Sequence, residues 1–189
     1  TNNEFREDMN VHIKNNCWKG EKSDFVIVCD VDEFVHAVDI ADCLVRRSEF
    51  HVFRPVGYNM VSENFPEYGP RLITEQIKSG ALAENYSKMV LFNPKVVDEI
   101  NYGAGAHTAK PKGAIPLQLY DAKDFNEELK LLHYKNVSFE YRRTKNQEYA
   151  TRVGPISKHF NWNFHFSYDE QTQRTEFDGL LSSAKKILP

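Results

Sequence analysis

Cysteine is scarce in this chain, with three among 189 residues, at positions 17, 29 and 43. The number is odd and no C-x-x-C pair occurs, which argues against both a disulfide framework and a structural zinc site. Long apolar runs are missing as well, so nothing reads as a membrane span, and no targeting leader is visible. A charge excess is also lacking: 24 Lys and Arg stand against 27 Asp and Glu, a formal charge of −3. That balance gives no global attraction to nucleic acid, and none is expected as a partner. A reducing, cytoplasmic setting is the resulting expectation. The N-x-S sequons at Asn85 and Asn136 are then chance matches. No repeat or low-complexity segment appears.

What is present is a core-forming composition. Hydrophobic residues make up 41% and aromatics 13%. The length suits a single domain over 1–189. Phe5, Met9, Ile13 and Cys17 recur every four residues, which predicts an amphipathic helix over 4–17. Residues 25–30 read as a fully buried strand, and 39–47 as a short helix. Residues 50–54 and 58–61 look extended, 64–70 is a loop, and 73–82 fits either class. Residues 88–92 form a strand ended by Asn93-Pro94, while 100–113 reads as a long loop or a short strand with a loop. Short strands are expected at 117–120 and 129–134. A helix over 139–153 stops at Gly154-Pro155. The alternation Phe160, Trp162, Phe164, Phe166, Tyr168 suggests a half-buried strand, and 180–188 a terminal helix. Strands and helices mix, so the class is α/β or α+β.

The best functional lead is Asp30-Val31-Asp32-Glu33-Phe34, directly after the apolar run Phe25 to Cys29. Carboxylates spaced i, i+2 at the end of a strand project to one side. A hard cation such as Mg²⁺ or Mn²⁺ prefers such oxygen ligands and can neutralise a diphosphate. A calcium loop starting at Asp30 is excluded, since Val35 stands where glycine is needed and Ala41 where glutamate is needed. His107, in the run Gly103 to His107, and His133, after Leu131-Leu132, are candidates to complete a metal site. The run Gly103 to Gly113 matches neither the dinucleotide fingerprint nor a P-loop, because Thr108 occupies the third glycine position. Arg142, Arg143, Lys145, Arg152 and Lys158 read as a solvated helix face. The aromatics of 160–168 could stack on sugar rings, although core packing in a half-buried strand is the favoured reading.

Several segments taken together resemble one family. Asp24-Phe25-Val26-Ile27-Val28-Cys29-Asp30-Val31-Asp32-Glu33-Phe34 is similar to the D-W-V-I-V-x-D-x-D-E-F segment of family 2-like glycosyltransferases, which have the GT-A fold. The resemblance continues, in order, through Pro55 to Met60, Tyr86 to Val90, Gly105-Ala106-His107 and Leu131 to Lys135. It covers roughly residues 5–168.

The resemblance implies a partial GT-A α/β fold, a mixed sheet flanked by helices. It implies transfer of a sugar from a nucleotide-sugar donor to an acceptor hydroxyl, in surface polysaccharide or glycolipid synthesis. Asp30, Asp32 and Lys88 would contact the nucleotide sugar. Asp30, Asp32, His107 and His133 would be metal ligands for Mn²⁺ or Mg²⁺. Glu33, Glu63 and Glu84 are the candidates for the base that takes the acceptor proton. The acceptor would be a saccharide or a lipid-linked saccharide, with peripheral association at the inner face of a membrane. Only 29 residues precede Asp30, fewer than the family places there. The chain is therefore expected to be the C-terminal portion of such a catalytic domain, with weak nucleotide-sugar binding and an apolar edge that invites a homodimer. The alternatives are another metal-dependent phosphate-handling enzyme, of nucleotidyltransferase type, and a non-catalytic carbohydrate- or protein-binding module.

Overall fold

The computed structural model describes residues 4–189. They divide into two compact units. The first takes in the described residues up to Glu7, with Asn59–Leu82 and His133–Pro189. The second comprises Asp8–Tyr58 and Ala83–Leu132.

In chain order the elements begin with helix α1 (Glu7–Asn16), strands β1 (Val26–Ile27) and β2 (Glu33–His36), and helix α2 (Ile40–Arg46). Strands β3 (Val52–Arg54) and β4 (Val56–Val61), helix α3 (Ile73–Gln76) and strand β5 (Ser79–Leu82) follow. Next come β6 (Leu91–Phe92), β7 (Leu119–Asp121) and β8 (Lys130–Asn136). The chain closes with α4 (Phe139–Ala150), α5 (Pro155–His159), α6 (Glu170–Ser183) and β9 (Lys185–Lys186). The class is mixed α and β, with two mixed sheets.

One sheet, of order β1-β6-β3-β7, lies wholly in the second unit. Strand β6 runs antiparallel to both β1 and β3, and β7 runs parallel to β3. The other sheet has the order β2-β8-β4-β5-β9, and β5 pairs β9 in antiparallel register.

The second unit's core is built on Trp18, Val28, Val52, Phe92, Val97, Ile100, Tyr102 and Ala106. The Trp18 ring meets Phe92 edge-on, with centroids 4.9 Å apart, the arrangement that aromatic quadrupoles favour. In the first unit Val61, Phe139 and Phe177 pack together, covered by Leu180 and Leu181. Its two long helices, α4 and α6, start on side-chain caps. Ser138 Oγ accepts from Tyr141 N at 3.1 Å, and Asp169 Oδ1 accepts from Thr172 N at 2.7 Å; each satisfies one otherwise unpaired helix donor.

Several expectations need correction. Helix α1 buries Glu7 and Lys14, with Val11 beside them and the buried Trp18 just beyond its end, whereas Met9, Ile13 and Cys17 of the expected stripe are exposed. The helix is present, rotated to its charged stripe. The buried strand over 25–30 contracts to Val26–Ile27, and Ile27 is half exposed. The 160–168 segment is not a strand: it is turns and a 3₁₀ helix over Phe164–Ser167. Asn161 and Asn163 both take positive φ, 53° and 63°, and so break the extended path. Gly154-Pro155 does more than end α4. Gly154 caps α5 and Pro155 opens it, where its missing N–H costs nothing. The terminal helix over 180–188 is instead the end of α6 followed by β9.

The ambiguous stretch 73–82 resolves into α3 and β5. The basic stretch is largely matched by acids within its own unit. Arg142 is buried against Glu176, Arg143 reaches Glu140 at 2.7 Å, and Lys145 reaches Glu148 at 3.0 Å.

Candidate functional site

The acidic motif sits on a turn, not at a strand end. Glu33 N donates to the Asp30 carbonyl at 3.0 Å, and Asp30 N donates to Glu33 Oε2 at 3.2 Å. These two bonds close Asp30–Glu33 on itself. Val31, between the aspartates, is fully exposed, and Asp32 is half-buried. The strand alternation that would point both carboxylates one way is absent here.

Two lysines reach this turn within the second unit. Lys88 Nζ donates to Glu33 Oε1 at 2.5 Å, and the side chains are 2% and 1% exposed. Its Nζ is also 3.6 Å from Asp30 Oδ2. Lys14, from the last turn of α1, brings Nζ to 2.7 Å from Asp30 Oδ1. That contact has ion-pair distance without hydrogen-bond alignment. Such a cluster is held by mutual charge in a poorly solvated place, where a missing partner is costly. Asp30 itself keeps 37% of its side chain exposed, so the turn offers one carboxylate to solvent.

Cys29 lies just before the turn, and its Sγ donates to the Glu33 carbonyl at 3.4 Å. Burial, aided by the charges of Glu33 and Asp30, pushes its thiol up to about 11. At neutral pH it is a thiol and a poor nucleophile.

Three of the other segments of the resemblance meet at Tyr86, and the fifth, Leu131 to Lys135, is not among these contacts. Lys88 Nζ stands 5.0 Å from the centre of the Tyr86 ring, and the His107 ring meets it edge-on at 5.2 Å. Gly57 passes so close that a Cβ there would lie 2.2 Å from the Tyr86 carbonyl carbon. Gly57 N donates to Ser87 Oγ at 3.0 Å. His107 Nδ1 lies 2.6 Å from the Asn85 carbonyl. A carbonyl can only accept, so the proton sits on Nδ1.

Beside these residues is an open cavity of about 240 Å³, lined by Arg54, Glu84, Ser87, Met89, His107 and Thr108. Glu84 is exposed and paired with Lys123, and Arg54 is 3.4 Å from Asp121.

The expected site residues thus fall into distinct settings. Asp30, Asp32, Glu33, Glu84, Lys88 and His107 all belong to the second unit. Both Glu33 oxygens are engaged, one by Lys88 and one by Asp30 N. Glu63 belongs to the first unit and is exposed. His133 belongs to the first unit too, buried, with Nδ1 2.9 Å from Asn59 Oδ1.

Among the described residues no group of three or more His, Cys, Asp and Glu is gathered to hold a metal ion. A resident Mg²⁺ or Mn²⁺ needs carboxylate oxygens turned towards it. Here ammonium groups already stand against Asp30 and Glu33. The donor set does not fit a resident cation.

Lys14 is absent from the residues that the sequence points to, and Tyr86 stands there only within the segment Tyr86 to Val90, with no role of its own. Lys14 had a legible signal: it shares a helical stripe with Glu7, Val11 and Trp18. A lysine in phase with a tryptophan marks either a wasted charge or a buried counter-ion. Tyr86 carries no such mark. Compared with protein-family models, curated proteins and solved structures, the chain matches none.

Proposed function

We propose that the second unit carries a glycosyltransferase site, which moves a sugar from a nucleotide-sugar donor to an acceptor hydroxyl on a saccharide or lipid-linked saccharide. A GT-A-type arrangement is part of that reading. One observation carries it. The stretches at 30–33, 57, 86–88 and 105–107, read separately as matching segments, meet around Tyr86 beside one open cavity. Four of the five matching segments meet there, and the fifth, Leu131 to Lys135, does not: its His133 lies in the first unit with Asn59.

The roles follow from exposure and pairing. Asp30, partly exposed on its lysine-held turn, accepts hydrogen bonds from donor hydroxyls. Lys88 holds that turn through Glu33 and stays out of solvent. Glu84 is the base: of the three candidate carboxylates it alone lines the cavity, Glu33 being locked in a buried pair and Glu63 lying in the first unit. The acceptor oxygen attacks the anomeric carbon and its proton passes to Glu84. The bond from that carbon to the diphosphate oxygen breaks, and the electron pair leaves with the nucleoside diphosphate.

Calorimetric titration with nucleoside diphosphates, nucleotide sugars and nucleoside triphosphates, each with Mn²⁺ and with chelator, tests this reading. Binding of diphosphates and their sugar conjugates, in competition with one another, supports it. Preference for triphosphates, with pyrophosphate released on incubation, would replace it with a nucleotidyltransferase. Absence of binding to all three classes would sink it.

A further inference from the structure

A cluster of partly exposed aromatic side chains lies between α5 and α6 in the first unit. Phe160 and Trp162 are stacked, with centroids 4.9 Å apart and planes at 22°. Phe164 meets Tyr168 edge-on at 5.8 Å. Phe160 is 57% exposed and Phe164 52%. Large aromatic surfaces left in water mark binding sites more often than chance. The backbone is shaped around them, because Asn161 and Asn163 adopt left-handed conformations on either side of Trp162.

The surrounding chemistry restricts the occupant. Residues 155–167 contain one charged residue of the Lys, Arg, Asp, Glu set, Lys158, and no acid. Lys135 of β8 joins it, with Nζ 3.0 Å from His165 Nε2 and 4.7 Å from the centre of the Phe166 ring; two lysines fall short of the basic cluster which an anionic membrane, a nucleic acid or an acidic peptide would require. Flat π faces attract polarised C–H groups through their negative quadrupole. The exposed His159 and Asn161 flank the stack and supply hydrogen-bond donors and acceptors at its rim. A ligand with an apolar C–H face and a ring of hydroxyls satisfies both. We infer that the Phe160–Trp162 pair, with His159 and Asn161, is a binding platform for an uncharged saccharide chain. The inference goes beyond the proposed transfer reaction and does not depend on it.

The chain has two tryptophans, and Trp18 is buried in the second unit's core, so each indole N–H signal in an NMR spectrum reports on a different place. Cellohexaose, maltohexaose and chitohexaose are titrated into the intact chain, and phosphatidylglycerol vesicles serve as the competing surface. A saturable shift of the Trp162 signal with at least one hexasaccharide, while Trp18 stays still, is the expected result. Trp162→Phe assigns the signals, and Phe160→Ala should weaken binding about tenfold with an unchanged melting curve. No shift with any of the three, equal shifts of both indoles, or a Trp162 response to vesicles alone would each overturn the inference.

Discussion

Lys88 and Glu33, 55 residues apart in the chain, form a buried ion pair at 2.5 Å that fixes the acidic turn. Removal of Lys88 leaves the buried Glu33 carboxylate without its cation, and removal of Glu33 leaves Lys88 only the longer contact to Asp30 at 3.6 Å. Lys88→Met and Glu33→Leu should each destabilise the protein by about 3–5 kcal/mol. The double variant should lose clearly less than the sum, since it strands no charge. Urea unfolding of the three variants measures this directly, and additive losses would show that the pair is not coupled.

Gly57 is required by space. A methyl group there would meet the Tyr86 and Ser87 backbone at 2.2–2.6 Å, so Gly57→Ala must displace main chain at the centre of the proposed site. The expected loss is roughly 1–3 kcal/mol or more. Gly179, in the interior of α6, has nothing within 4 Å of an added Cβ. Gly179→Ala should therefore stabilise by about 0.5–1 kcal/mol through helix propensity. Thermal melts of the two variants should move in opposite directions.

Cysteine labelling should be selective. Cys17 is exposed, Cys43 is buried, and Cys29 has its thiol pushed up to about 11 by burial and the neighbouring carboxylates. Iodoacetamide at pH 8 should add one group quickly, at Cys17, as read by peptide mass spectrometry. Rapid labelling of Cys29 would mean that the acidic turn opens in solution.

The cap of α6 should be acid-sensitive. The backbone N–H of Thr172, bonded to Asp169, holds the Asp169 carboxyl below its usual range. A depressed carboxylate stabilises the folded state above its unfolded value and loses that contribution as pH falls through the folded value. Exchange of the Thr172 amide should accelerate as pH drops below about 4, beyond the intrinsic trend. Asp169→Asn, which caps without titrating, should abolish that acceleration.

Legibility in the sequence depended on whether local signals stood alone. Helices α2 and α4 were readable because Asp39 and Ser138 cap them just ahead of their first turns. Strands β4 and β8 were readable from their apolar runs. The face of α1 was not: two apolar sets share its turns, and the buried one carries Glu7 and Lys14, whose burial depends on partners far along the chain. The 160–168 alternation misled because asparagine tolerates positive φ, which lets a strand-like pattern fold into turns. The acidic motif is legible in the sequence, but its lysine partners come from positions 14 and 88, and no local pattern announces such pairing.

Glu84 is the variant position best suited to the chemistry, because it is exposed and its loss strands no buried charge. Glu84→Gln should lower kcat with little change in KM, since the base acts only as the acceptor proton leaves. A change in KM alone would assign Glu84 to binding.

The most direct measurement of the central claim is nucleoside diphosphate release from a panel of nucleotide sugars, in the presence of saccharide acceptors and with chelator or Mn²⁺. The account predicts release from at least one donor, accompanied by a lengthened acceptor and suppressed by Glu84→Gln. No release from any donor under either condition, or pyrophosphate from nucleoside triphosphates instead, would contradict it.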